Sequence, residues 1–146
     1  MLDKFAPLFV DDTEVITHSL VQDVPLKSGK TLALITLDNH KDHTRPTTLG
    51  PLSLKELDEA LDGLEERAKN GEIHGIAITG KPYFLAAGAD LSKIGAVKEK
   101  IIGRLYVELG HYVFAKLGDS SVPTFVFING LALGGGVEIA LNAKYR

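Results

Sequence analysis

The sequence predicts an α/β fold, and three observations carry that prediction. Two segments rich in β-branched residues, Glu14 to Val24 and Thr31 to Leu37, flank the turn residues Ser28-Gly29 and read as a strand pair. An amphipathic stretch follows, with Leu54, Leu57, Leu61, Leu64 and Ala68 on one face at helical spacing. Two short apolar runs, Ile73 to Thr79 and Pro123 to Ile128, each lead into a glycine-containing loop, the pattern of strands buried on both faces of a parallel sheet.

In chain order, residues 1–13 mix apolar residues with acids and Pro7, show no period, and read as an N-terminal arm. After the strand pair, Asp38 to Gly50 is a polar loop carrying His40, His43, Arg45 and Pro46. Ser53-Leu54-Lys55-Glu56 has capping-box spacing, in which the serine oxygen and the glutamate carboxylate satisfy free N–H groups at a helix start. Asn70-Gly71 closes that helix. Strand, helix and strand in this order argue for a parallel crossover. Gly80 to Leu91 reads as a loop of small residues at the carboxyl end of a strand, where open α/β sheets bind ligands. Ser92 to Leu117 reads as mostly helical, with Gly103 and Gly110 as places where it could bend or break. The strand ending at Ile128 feeds Gly134-Gly135-Gly136, and the next helix opens at Gly135 or its neighbour with Glu138 in its first turn.

Composition narrows the function. The 146 residues are 24% charged with a net charge of -3, which suits one ordinary domain and gives no basic surface for nucleic acid. Without cysteine there is no disulfide framework, thiolate metal site or catalytic thiol. No apolar run approaches the length of a membrane span, and the start lacks a basic segment followed by an apolar one, so the chain reads as cytoplasmic with no membrane partner. His40 and His43 stand three apart, but no third ligand is placed by sequence and no metal is assigned. His111, beside Tyr112, reads as a surface or packing residue. No lysine followed by serine or threonine completes a Walker loop, Ile139 stands where the last glycine of a dinucleotide fingerprint would fall, and no Gly-x-Ser-x-Gly elbow is present.

On the residues alone, Ile128 to Glu138 admits two readings. Its glycines can serve tight packing, with Glu138 as a favourable first-turn acid beside the helix dipole. Alternatively they let backbone N–H groups approach a ligand. A second stretch bears on the choice. Phe84-Leu85-Ala86-Ala87-Gly88-Ala89-Asp90-Leu91, followed after a helical interval by Ile128-Asn129-Gly130-Leu131-Ala132-Leu133-Gly134-Gly135-Gly136-Val137-Glu138-Ile139-Ala140-Leu141, resembles the paired motifs of the enoyl-CoA hydratase/isomerase (crotonase) family. The likeness extends with less precision to the strand at Leu32 to Asp38 and the helix after Ser53, leaving only the arm unmatched.

The resemblance implies a crotonase-like spiral of β-β-α units, an acyl-CoA thioester bound between the two loops, and assembly as trimers or hexamers. By motif position it places two backbone oxyanion donors at Ala89 and Gly135, the CoA side along Ala86, Ala87 and Gly88, and the first catalytic carboxylate at Glu138, with Asp90 fixing its loop. The chemistry suits those types: a thioester carbonyl turning enolate-like gains charge that preset N–H donors stabilise, and a carboxyl group can exchange protons in general acid/base work. The reaction implied is hydration of 2-trans-enoyl-CoA to 3-hydroxyacyl-CoA. Enoyl-CoA isomerisation or another acyl-CoA reaction of the family, and a non-catalytic acyl-CoA binding or assembly module, are the alternatives. The family's second carboxylate is expected beyond Arg146. Residues 14–146 therefore resemble the N-terminal portion of such a domain, truncated and expected to be inactive or weakly active by itself. Lys144 stands where many relatives have aspartate. The arm, Ile35-Thr36-Leu37-Asp38-Asn39 and Thr47-Thr48-Leu49-Gly50 are similar in style to multifunctional fatty-acid oxidation proteins, whose later portion is an NAD-dependent 3-hydroxyacyl-CoA dehydrogenase. NAD would then belong to a longer parent, and no cofactor is assigned to these residues.

Overall fold

The computed structural model describes residues 2–11, 13–90 and 100–146. Leu2–Leu8 is a 3-10 helix whose Phe5 and Leu8 are buried, so this part of the arm packs onto the core. Strands β1 (His18–Pro25) and β2 (Thr31–Asp38) form the expected antiparallel hairpin. Gly29 turns it at φ +79°, where a residue with a Cβ would be strained. Alternation along β2 buries Ala33, Ile35 and Leu37. Helix α1 (Pro51–Lys69) buries Leu54, Leu57, Leu61, Leu64 and Ala68, the face that its spacing predicts. Its end is a Schellman turn: Glu72 N–H donates to Arg67 O, and Gly71 N–H to Ala68 O, both at 3.0 Å. Strand β3 (Gly75–Gly80) then returns parallel to β2.

The start of α1 corrects the capping-box expectation. Pro51, whose fixed φ and missing N–H suit a first helical position, opens the helix three residues early and leaves Ser53 inside the first turn. The cap comes from Glu14, which lies before β1 rather than in it. Its carboxylate accepts Leu52 N–H and Ser53 N–H at 2.9 Å each and the Ser53 hydroxyl at 2.7 Å. Gly50 makes room, because a Cβ there would collide with that carboxylate. Glu56 instead accepts Ser19 N–H at 2.9 Å and lies 3.0 Å from His18 Nδ1, tying the helix to β1. Glu14→Ala is expected to lower stability by about 1–2 kcal/mol, the cost of losing a good N-cap. Urea unfolding checks it, and an unchanged midpoint would count against this cap.

Beyond β3 come β4 (Tyr83–Ala86), α2 (Lys100–Asp119), β5 (Thr124–Val126), β6 (Gly130–Ala132) and α3 (Gly135–Asn142). The main sheet has the order β1-β2-β3-β5, and β4 pairs in parallel with β6 in a second sheet. Among the described residues the β-β-α order thus occurs three times, as β1-β2-α1, β3-β4-α2 and β5-β6-α3, and in the last two β5 lies beside β3 and β6 beside β4. This is the spiral that the crotonase resemblance implies.

Two further expectations are corrected. The stretches read as the Gly80 loop and the glycine run contain β4 and β6, strands too short to show a period, which exist by pairing with each other. Helix α2 runs unbroken through Gly103 and Gly110. The burial of Leu109, Val113, Phe114 and Leu117 outweighs about 1 kcal/mol of helix propensity per glycine. Ser92, Ile94 and Val97, also read as helical, lie outside the described residues. Lys144 serves the structure by donating from its ammonium to Ser120 O at 2.6 Å, which secures the turn that enters β5. Among the described residues, no helix is long and apolar enough to cross a membrane.

Candidate functional site

The parallel pairing in the second sheet brings the ends of β4 and β6 together, and the turns leaving them touch. Gly88 has φ +78°, and a Cβ there would lie 2.8 Å from Leu133 O and 3.0 Å from Gly135 N, so the close approach requires glycine on both counts. Asn129 sets the entry to this pair of segments. Its amide donates to Gly80 O and Lys81 O at 2.8 Å each, and its carbonyl oxygen accepts Gly80 N–H at 3.2 Å.

Two peptide planes in these turns are oriented by their carbonyls. In a trans peptide, C=O and N–H point in opposite directions. Gly88 O accepts Leu49 N–H at 2.8 Å, which turns the Ala89 N–H of the same peptide away from Leu49. Gly134 O accepts Val137 N–H at 2.9 Å and Glu138 N–H at 3.0 Å, so Gly135 N–H points out of the first turn of α3. Among the described residues, neither Ala89 N–H nor Gly135 N–H donates to a protein acceptor. Gly134, at φ +48°, is the N-cap that makes the sharp entry into α3.

Ala89, Gly135 and Glu138 line one pocket of about 150 Å³, walled by Leu49, Leu54, Tyr106 and Phe114 among others. Glu138 projects from the first turn of α3, its side chain 49% exposed and Oε2 3.9 Å from His111 Nε2. Sequence reasoning set His111 aside, and only the packing of α2 on α3 reveals its nearness. Of the other sequence-named positions, Ala86 is buried in β4 with its carbonyl accepting Leu133 N–H at 3.0 Å, and Ala87 gives its N–H to Thr47 O at 2.8 Å. A wider polar cleft, about 610 Å³, has Lys41, Arg45, Thr48 and Asp90 among its walls.

Sequence reasoning also missed Lys81. Its ammonium is buried among Asn39 Oδ1 at 2.7 Å and the carbonyls of Lys41, Asp42 and Arg45 at 2.9, 3.0 and 2.7 Å, a set that compensates the cation and shapes the polar loop. No periodic signal could have found it. His40 stacks on His18 with centroids 4.9 Å apart. No group of three or more potential metal-binding side chains occurs among the described residues.

The Enoyl-CoA hydratase/isomerase family profile matches residues 27–146. The chain belongs to that family. A fatty acid oxidation complex subunit alpha from Shewanella amazonensis is 34% identical over 116 residues, which are 79% of this chain and 16% of the relative. A short-chain-enoyl-CoA hydratase from Clostridium acetobutylicum is 34% identical over 124 residues, 82% of this chain and 43% of the relative. Among solved structures, the enoyl-CoA hydratase of Bacillus anthracis superposes with TM-score 0.70 at 25% identity, covering 86% of this chain and 46% of that one. Pseudomonas aeruginosa DspI gives TM-score 0.69 at 28% identity, covering 91% and 50%. The chain therefore spans half or less of each of these relatives. Within the enoyl-CoA hydratase/isomerase fold, the Ala89, Gly135 and Glu138 pocket lies between the two parallel strand ends.

Proposed function

We propose that this chain supplies the thioester-activating half of an enzyme that hydrates 2-trans-enoyl-CoA to 3-hydroxyacyl-CoA. The observation that supports it most is the pocket lined together by Ala89, Gly135 and Glu138, where, among the described residues, the two backbone N–H groups have no protein acceptor and one carboxylate is present. The N–H groups of Ala89 and Gly135 hold the thioester oxygen, and the Ala86 to Gly88 segment flanks the CoA side. As water adds its oxygen at C3, electrons shift toward the thioester carbonyl. Loss of one such donor typically costs about 3–4 kcal/mol of transition-state stabilisation. Glu138 takes part in positioning and deprotonating the water, and C2 receives a proton to complete the addition.

Residues 14–146 are, in this proposal, the N-terminal portion of a crotonase-like domain, with 1–13 as its arm. Supporting it, Phe127, Ile128, Leu133, Leu141 and Tyr145 are large apolar side chains standing exposed in the last part of the chain. Such a surface suits cover by more of a domain or by a second subunit.

A second reading has its own observation. Among the described residues, Glu138 is the one carboxylate lining the pocket. Moving an enoyl double bond needs only one base to take a proton from C2 and return it at C4, so isomerisation fits that inventory too. Calorimetry with butyryl-CoA on this chain tests the shared step: binding is expected, and its absence would exclude both enzyme readings and a non-catalytic acyl-CoA module. In the longer parent, incubation with 2-trans-enoyl-CoA and, separately, with 3-enoyl-CoA distinguishes the reactions. Formation of the 3-hydroxy product supports hydration, and double-bond movement without it supports isomerisation.

A further inference from the structure

The Gly88–Ala89 peptide poses a positioning problem. Gly88 is the residue type with the widest backbone freedom, so rotation of this peptide meets little local resistance. A flip would replace the Ala89 N–H with a carbonyl oxygen facing the thioester oxygen, converting attraction into repulsion. The contact opposing that flip is Leu49 N–H on Gly88 O at 2.8 Å. Leu49 is itself held from α2, where the Tyr106 hydroxyl donates to Leu49 O. Tyr106 and Leu49 both line the pocket, beside Ala89.

We propose that Tyr106 is a positioning residue for the oxyanion hole: its hydroxyl clamps Leu49, and Leu49 in turn locks the Gly88–Ala89 peptide with the Ala89 N–H aimed into the pocket. The inference rests on the reading of Ala89 as a thioester donor and extends it to a residue on another element. The contacts form a continuous chain from α2 to the donor, with no step left to packing alone. The phenol remains a donor under ordinary conditions, since burial, aided by the charges of Glu14 and Asp90, pushes its pKa well above the usual tyrosine range.

Tyr106→Phe keeps the ring and removes the donor. The test reads the thioester C=O stretch of carbonyl-¹³C butyryl-CoA bound to this chain, by difference infrared spectroscopy. The wild-type chain is expected to lower that frequency relative to free ligand. Tyr106→Phe, read at saturating ligand, is expected to bind up to about tenfold more weakly, as for one lost hydrogen bond, and to lose most of the frequency shift. Placing 4-aminophenylalanine at position 106, which restores a donor, is expected to recover it. A full shift in Tyr106→Phe overturns the inference alone. A wild-type chain that binds no butyryl-CoA overturns the functional reading and this inference together.

A ligand-free measurement stands beside it. The Leu49 amide is expected to exchange slowly in the wild-type chain and roughly tenfold faster in Tyr106→Phe, a local opening with the core amides unchanged. Equal protection in the two chains overturns the inference. Should the phenylalanine chain not fold, the wild-type chain decides, because fast exchange at Leu49 there shows that the clamp does not hold.

Discussion

Glu138→Gln in the parent protein is expected to lower hydration of 2-trans-enoyl-CoA by about 10²–10⁴-fold, the usual worth of a positioned acid/base group. Glutamine keeps the shape and a hydrogen-bonding oxygen, but it cannot take a proton from water. Since Glu138 stands in the first turn of α3 while the proposed oxyanion donors are backbone groups, acyl-CoA affinity should change little. The loss should therefore fall on kcat and not on KM. Steady-state kinetics on crotonyl-CoA checks this, and equal kcat in both proteins would remove Glu138 from the chemistry.

Gly136→Ala is expected to cost about 3 kcal/mol of stability, the upper part of the range for forcing extra atoms into a packed interior. A Cβ on Gly136 would run into the carbonyl of Ala86, which cannot swing aside because Leu133 N–H donates to its oxygen at 3.0 Å. Relief requires α3 to move away from β4, which would also separate Gly135 from Ala89. Loss of butyryl-CoA binding should accompany the loss of stability. Gly63→Ala is the control: nothing lies within 4 Å of the place its new methyl group would take, and in α1 it should be neutral or stabilising by up to about 1 kcal/mol. Thermal unfolding of the two variants side by side checks the contrast, and similar midpoints would contradict the tight α3–β4 contact.

The parts of the fold that show in the sequence are those whose signal is local. The five apolar positions of α1 repeat at helical spacing, Ser28-Gly29 marks a hairpin, and the apolar run of β3 has flanking glycines. The rest depends on partners distant in sequence. β4 and β6 have too few residues to carry a period, and each becomes a strand only beside the other. Ser53-Leu54-Lys55-Glu56 has capping-box spacing, yet Pro51 moves the helix start and the carboxylate of Glu14, 38 residues before Leu52, takes over. Lys81 is one lysine among many until the fold closes the polar loop over it. At the candidate site, Glu138 stands out as a first-turn acid after three glycines. Ala89 and Gly135 have no side-chain chemistry to mark them, so family resemblance is what names them. What the fold adds is physical: contact between Gly88 and Gly135, two peptide planes fixed by their carbonyls, and a wall that includes Tyr106.

Both peptide N–H groups can be watched at once. In a ¹⁵N-labelled chain titrated with butyryl-CoA, the amide protons of Ala89 and Gly135 should move downfield as they bind the thioester oxygen. Free CoA, which lacks that carbonyl, should leave them near their starting positions. Downfield shifts at these two amides, specific to the thioester, are the expected result, whereas butyryl-CoA binding that perturbs other residues and leaves Ala89 and Gly135 unmoved would contradict the proposed oxyanion hole.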